Sequence, residues 1–252
     1  MSESHAFLFF IAGVFMLAGF VKGVVGLGLP TVSMGILATT MAPSQALTIV
    51  IVPAVITNIW QTFVGPYLPG IVRRLWPLLA GTALGIWLNA GSLTGPYAHY
   101  LPIALGIILV IYAVLGLSRI AFKVARRNEK WVGGIVGLTT GLISAATGVQ
   151  VIPSMPFLQA IGMEKDELVQ ALGVFFTVAT LSLTINLTTS GLLTAATALP
   201  GLIGLACSFA GMFIGQALRT RMPADAFRRY FLIAMIFLGL YIAGAAVYKL
   251  LA

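Results

Sequence analysis

The sequence predicts an all-α polytopic membrane protein, built as two inverted repeats of about five apolar segments each. Three observations lead there. Of 252 residues, 60% are hydrophobic and only 8% charged, and the mean hydropathy is +1.05. A soluble domain carries about a quarter charged residues, so this chain lacks the polar surface to coat a globule in water. Apolar stretches of membrane-spanning length recur from end to end. Short motifs recur in the same order in both halves. Ten-residue alternating segments, the mark of a transmembrane barrel, are missing.

Taken in order, the apolar segments cover about 6–22, 24–42, 46–63, 75–91, 101–118, 131–147, 149–163, 168–190, 197–218 and 230–251. The opening "MSESHAFLFF" carries Glu3 and no basic stretch, and "MLAGFVKG" is a poor cleavage site, so segment 1 is expected to stay in the mature chain. Segments 2 and 7 either cross fully or are partial, re-entrant helices, giving 8–10 spans. Segment 7, at about 15 residues, falls short of the ~20 that a crossing needs. The longest polar connection is "RIAFKVARRNEK", residues 119–130. It divides the chain into a first membrane repeat (1–122), a basic cytoplasmic linker (123–130) and a second membrane repeat (131–252).

The internal echoes support that division. "GLGLP" ending at Pro30 is matched by "TGVQVIP" ending at Pro153, and Gln45-Ala46-Leu47 by Gln170-Ala171-Leu172. Asn58 is roughly mirrored by Asn186, and "LGIILVIYAVLG" by "AMIFLGLYIAG". The offsets stay between about 123 and 130 residues, and their shared order marks a repeat.

Charge orients the segments. With the N-terminus outside, the linkers holding Lys22, Arg73/Arg74, Lys123/Arg126/Arg127/Lys130, Lys165 and Arg219/Arg221/Arg228/Arg229 fall inside, and only Lys249 points the wrong way. Five segments per half is an odd number, so the halves are inverted, as in many transporters. The net charge of +8 is spread between apolar segments rather than along one face, which argues against nucleic acid as a partner. The partners expected are the lipid bilayer and a small anion.

Chemistry is sparse. Glu3, Glu129, Glu164, Asp166, Glu167 and Asp225 all read as tail or linker residues, so no intramembrane carboxylate is available as a proton relay or cation ligand. His5 and His99 lie apart and read as solvated or interfacial. Cys207 is the only cysteine and reads as a packing residue. No GxSxG, HExxH or GxxxxGK[ST] occurs, and "GVVGLG" is neither a dinucleotide nor a phosphate loop. An enzyme, a metal site and a cofactor are therefore not expected.

What remains is "VKGVVGLGLPT" and its echo. Glycine permits backbone conformations and approaches that other residues resist, and proline suits the first turn of a new helix. The stretch reads as a break followed by a fresh helix near Pro30, and "TGVQVIP" as another near Pro153. Two helix N-termini brought together offer unpaired N–H groups and positive dipole ends to an anion. Gly26, Gly28, Pro30, Gly148 and Pro153 shape the breaks. Thr31, Ser33, Thr147, Gln150 and Ser154 are candidate donors, and Lys22 a candidate full charge. The plainer alternatives stay open: glycines that serve only close helix packing, and Lys22 as a loop residue snorkelling to headgroups. Asn58 and Asn186 suit a substrate contact or a helix–helix hydrogen bond equally. The Glu164-Lys165-Asp166-Glu167 cluster reads as a solvated linker capping segment 8.

At "GVVGLGLPTVSMGIL" and "QALTIV", then "ISAATGVQVIPSMPFLQAIGM" and "VQALGVFF", the chain resembles the sulfite exporter TauE/SafE family of membrane permeases. The resemblance spans essentially the whole chain. The second copy, "TGVQV", keeps one glycine. What the resemblance implies is an exporter in the bacterial inner membrane for small sulfur-containing anions such as sulfite or organosulfonates, with about eight spans and with Gly26, Gly28, Pro30, Gly148 and Pro153 as motif residues. From the residues and the resemblance together, the function expected is anion permeation by alternating access at the paired helix starts. The alternative from another class is a non-transporting membrane scaffold or assembly protein.

Overall fold

The computed structural model describes residues 2–118, 123–193, 198–219 and 224–251. The side chains of Glu3, Lys165, Arg219 and Asp225, and Arg221 altogether, lie outside the described residues. All regular structure there is helical. The order is α1 (Ser2–Val25), α2 (Leu29–Leu37), α3 (Pro43–Phe63), α4 (Leu68–Leu88), a 3-10 turn (Ala98–Tyr100), α5 (Leu101–Leu117), α6 (Glu129–Thr147), α7 (Ser154–Ala160), α8 (Lys165–Thr189), α9 (Ala198–Arg219) and α10 (Ala224–Leu251).

Local chemistry sets the boundaries. Proline occupies the first turn of α2, α3, α4 and α5, where its missing N–H costs nothing and its fixed φ suits the helix. Between α1 and α2 the backbone turns through Gly26 and Gly28, whose φ values of 84° and 111° favour glycine. α6 ends on Gly148 at φ 72°, whose N–H returns to the Ser144 carbonyl. The segments after these breaks are short, 9 residues in α2 and 7 in α7. At ~1.5 Å rise per residue neither crosses a bilayer.

Among the described residues, seven helices are long and apolar enough to cross a membrane: α1, α3, α4, the 3-10 turn with α5, α8, α9 and α10. The expectation was 8–10 spans. α6 falls outside the set because Gly133, Gly134, Gly137, Gly141, Thr139 and Thr140 dilute its hydropathy. Several basic and acidic residues expected in linkers stand inside helices instead. Lys22 lies in the last turn of α1, Arg73 and Arg74 in the second turn of α4, Arg228 and Arg229 in α10. Glu129 opens α6, and Asp166 and Glu167 occupy the first turn of α8. The apolar segments were simply shorter than the helices they nucleate, since polar residues at a helix end extend the hydrogen-bonded ladder.

The helices pack as α1 on α9, α4 on α6, α5 on α10 and α3 on α8, with α8 also against α4 and α3 against α9. The contacts are close because glycines face backbone. A Cβ on Gly19 would collide with the Ser208 carbonyl, one on Gly137 with the Leu78 carbonyl, and one on Gly141 with that of Thr82. Gly106 and Gly239 do the same for α5 and α10, each facing the other's carbonyl. Small residues that let backbones approach replace the hydrophobic drive that lipid removes. The outer faces carry Phe9, Trp87, Trp131 and Tyr248, all more than 70% exposed, a surface suited to lipid and not to water.

The α4–α6 pair is also tied at both ends. Arg74 donates from Nε to Glu129 Oε2 (2.9 Å) and from Nη2 to Glu129 Oε1 (2.8 Å) and to the Ile161 carbonyl (2.8 Å). Glu167 lies 3.9 Å from Nη1. At the far end Asn89 Nδ2 donates to the Leu142 carbonyl (2.8 Å) and Ser92 Oγ to that of Ala145 (3.2 Å).

Two predictions follow from this packing and this ion pair. Gly137→Ala drives a Cβ into the Leu78 carbonyl and should cost about 1–3 kcal/mol, lowering the melting temperature in detergent by several degrees. Gly13→Ala, with nothing within 4 Å of the added Cβ, should leave the melting temperature unchanged or raise it slightly. The hydrogen bonds from Arg74 hold the Glu129 carboxyl below its ordinary value of 4.5. The stabilisation is therefore fully present above about pH 4.5 and is lost as pH falls through the depressed folded value. Glu129→Gln should flatten that acid limb in melts taken between about pH 3 and 6.

Candidate anion-binding site

The C-terminal half of α3 brings four polar residues onto one side: Thr57, Asn58, Gln61 and Thr62, spaced i, i+1, i+4, i+5. All four are buried, and their partners lie on α1, at the first break and on α8. Thr57 and Asn58 meet Lys22 of α1. Lys22 Nζ donates to Thr57 Oγ1 at 3.0 Å and to Asn58 Oδ1. Thr57 spends its own proton on the Pro53 carbonyl (2.7 Å), so its lone pair faces the amine. Gln61 Nε2 donates to the Gly26 carbonyl (3.0 Å) and to that of Val169 in α8 (2.8 Å). Thr62 Oγ1 lies 2.8 Å from Thr177 Oγ1, also of α8.

Lys22 is 4% exposed, Thr57 0% and Asn58 1%. The snorkelling reading of Lys22 is thereby overturned: the amine points into the bundle, not to a headgroup layer. Its partners are neutral. Among the described residues the salt bridges belong to Arg74, and Lys22 makes none. An ammonium has three donors and no acceptor; two are engaged here. Asn58 Nδ2 is buried without a hydrogen-bond partner. Every uncommitted polar atom at this point is thus a donor, and a buried cation without a counter-charge is costly. The chemistry this arrangement favours is binding of an anion. The neighbourhood holds no metal-ligating cluster among the described residues.

The other predicted residues fall into distinct surroundings. Gly26 is joined to the Lys22 side through Gln61. Gly28 caps α2 beside Val21, Phe231 and Val32. Pro30 takes the first turn and Thr31 is buried behind it, while Ser33 Oγ donates back to the Leu29 carbonyl (2.6 Å). In the second break Gly148 lies against Leu47 and Met34, and Pro153 precedes α7. Thr147 Oγ1 donates to the Ile143 carbonyl (2.8 Å) and accepts from Val149 N–H (3.2 Å), while Ser154 Oγ donates to the Gln150 carbonyl (2.6 Å). Gln150 is 2% exposed, and its Oε1 has no partner. Asn186 accepts from Ser190 Oγ (3.3 Å) within its own helix. Among the candidates, contact between two side chains is made by Lys22 with Asn58, while Ser154 meets Gln150, and Ser33 meets Pro30, through a backbone carbonyl.

A cleft of about 570 Å³ opens elsewhere, lined by Ala6, Phe7, Phe10, Thr40, Met41, Gln45, Ile49 and Pro200. None of the predicted site residues lines it. Phe10 is twelve residues before Lys22 along α1, ~18 Å by helix rise.

Sequence reasoning missed Thr57, Gln61 and Gln170. The signal was present in the first two: polar side chains on one stripe of a buried helix are costly unless they have partners. Gln170, noticed only as part of a repeat, donates to the carbonyls of Thr62 (2.8 Å) and Gly65 (2.9 Å) and accepts from Tyr67 N–H (2.8 Å).

No curated protein and no solved structure gives a significant match to this sequence. The sulfite exporter TauE/SafE family matches residues 11–242, which take in both interrupted helices, the α3 stripe and Lys22. An all-helical membrane bundle with that match along nearly its full length belongs to the sulfite exporter TauE/SafE family, whose members are transporters and not enzymes.

Proposed function

We propose that the chain exports small sulfur-containing anions, of the sulfite or organosulfonate class, across the bacterial inner membrane by alternating access. The single observation that carries this reading is Lys22: a lysine sealed inside the bundle, held by neutral Thr57 and Asn58, with no salt bridge among the described residues. The substrate supplies the missing negative charge. Asn58 Nδ2 adds a donor, and the N-terminus of α2, which starts at Leu29 just beyond the first break, adds a positive dipole end. The second break contributes Gly148, Gln150, Pro153 and Ser154 on the opposite repeat, with Thr31, Ser33 and Asn186 completing the polar lining in other states of the cycle.

The helix pairing supports an inverted repeat. Exchanging α1 with α6, α2 with α7, α3 with α8, α4 with α9 and α5 with α10 turns the α1–α9 contact into α6–α4 and the α3–α9 contact into α8–α4. The α3–α8 and α5–α10 contacts map onto themselves. Such an arrangement lets one repeat rock against the other around a fixed site. The distribution of lysine and arginine favours an outside N-terminus.

The sealed amine also constrains the cycle. With Lys22 and Asn58 inaccessible to solvent, an anion reaches Nζ only when the α1–α3 contact opens. In the proposed cycle this buried arrangement of Lys22 and Asn58 corresponds to an occluded state, between inward-open and outward-open ones.

In proteoliposomes, Lys22→Ala should abolish sulfite or sulfonate flux while expression and the detergent melting temperature are retained; undiminished flux would move recognition to backbone donors. Asn58→Ala removes one hydrogen bond to a charged ligand, worth about 1.5–3 kcal/mol, and should weaken half-saturation by roughly ten- to a hundred-fold. Thermal stabilisation by added sulfite or sulfonate checks binding separately from transport. If no such anion shifts the wild-type melt, a membrane scaffold becomes the better reading.

A further inference from the structure

Resting on the Lys22–Asn58 site just proposed, we propose that this site selects by valence and takes a monoanion: a sulfonate or singly protonated sulfite, and not a divalent oxyanion such as sulfate. The charge inventory of the interior leads to this. Among the described residues, Lys22 is the only charged side chain that is buried. The groups that face its amine, Thr57 Oγ1 and Asn58, are neutral, and the one unspent donor beside it, Asn58 Nδ2, carries no formal charge. The other cations with defined partners are engaged elsewhere: Arg74 by Glu129 and the Ile161 carbonyl on α6 and the turn after α7, and Arg228 of α10 by the Gly116 carbonyl of α5 (3.5 Å).

In a low-dielectric interior the residual charge decides which ligand enters. One ammonium and one monoanion leave a neutral pair whose oxygens are met by N–H donors. One ammonium and one dianion leave a full negative charge with only dipoles to oppose it, and that remainder carries a heavy desolvation penalty. A bidentate guanidinium or a second cation would offset that remainder, and among the described residues none bonds to the groups around Lys22.

The test compares methanesulfonate with methanedisulfonate and with sulfate, binding each to the purified full chain in detergent by calorimetry at one pH and ionic strength. The expected result is saturable binding of methanesulfonate, with the two divalent anions at least tenfold weaker, and loss of methanesulfonate binding in Lys22→Gln. The comparison among ligands is made on the wild type, so it stands even if that variant fails to fold; Asn58→Ala then serves as the second variant and should weaken methanesulfonate binding while the valence order persists. Divalent anions binding as tightly as methanesulfonate, with Lys22 still required, would overturn the valence rule and leave the site standing. No binding of any of the three, or binding indifferent to Lys22 and Asn58, would overturn the site itself and the inference with it.

Discussion

A helix interrupted inside a membrane must find hydrogen-bond partners for the carbonyls and N–H groups it releases, because hydrocarbon offers none. At the first break, and where α3 gives way to α4, that demand is met by two glutamine side chains. Gln61 of α3 reaches the freed carbonyl of Gly26 in the first break and, with the same amide nitrogen, the Val169 carbonyl at the start of α8. Gln170 of α8 reaches back to Thr62 and Gly65 where α3 ends, and accepts from Tyr67 as α4 begins. Each glutamine satisfies the backbone of the other's neighbourhood. Removing either leaves buried carbonyls unpaired on two elements at once, which is why α3 and α8 act as the joint from which the remaining helices are placed.

Lys22 depends on that joint. It lies four residues before Gly26, in the last turn of α1, and α3 is held against that turn by Gln61 one helical turn beyond Thr57 and Asn58. The amine is thus positioned by α3, and α3 by its bond to the break. The same side-chain stripe that repairs the backbone also aims the cation. This coupling gives the proposed alternating access a physical handle: an anion that drew Nζ away from Asn58 would also loosen the α1–α3 contact on which the Gly26 repair rests.

The membrane class, the helical content and both helix breaks were legible in the sequence because each has a local cause. Hydropathy reports the spans, and Gly26, Gly28 and Pro30 or Gly148 and Pro153 report the breaks through φ and a missing N–H. The placing of Lys22 was not legible from local pattern. A lysine at the end of an apolar run looks the same whether it faces headgroups or a neighbouring helix; only the partner on α3, some 35 residues on, tells them apart. The α3 stripe itself could have been found, since Thr57, Asn58, Gln61 and Thr62 fall on one side of a buried helix. Arg74 and Glu129 looked like separate linker charges for a similar reason: their pairing is a fact about α4 meeting α6, 55 residues apart.

The two breaks differ in a way the repeat alone does not suggest. At the first, a full charge and a buried amide donor sit within one turn of the interruption. At the second, the hydroxyls of Thr147 and Ser154 return to their own backbone, and the unpaired atom is an acceptor, Gln150 Oε1. The two breaks therefore carry unlike polar surroundings, one donor-rich and one with a free acceptor. Under the proposed reading the charge of an anion is met at the first, and the Gln150 acceptor of the second meets a substrate through a hydrogen that the substrate brings.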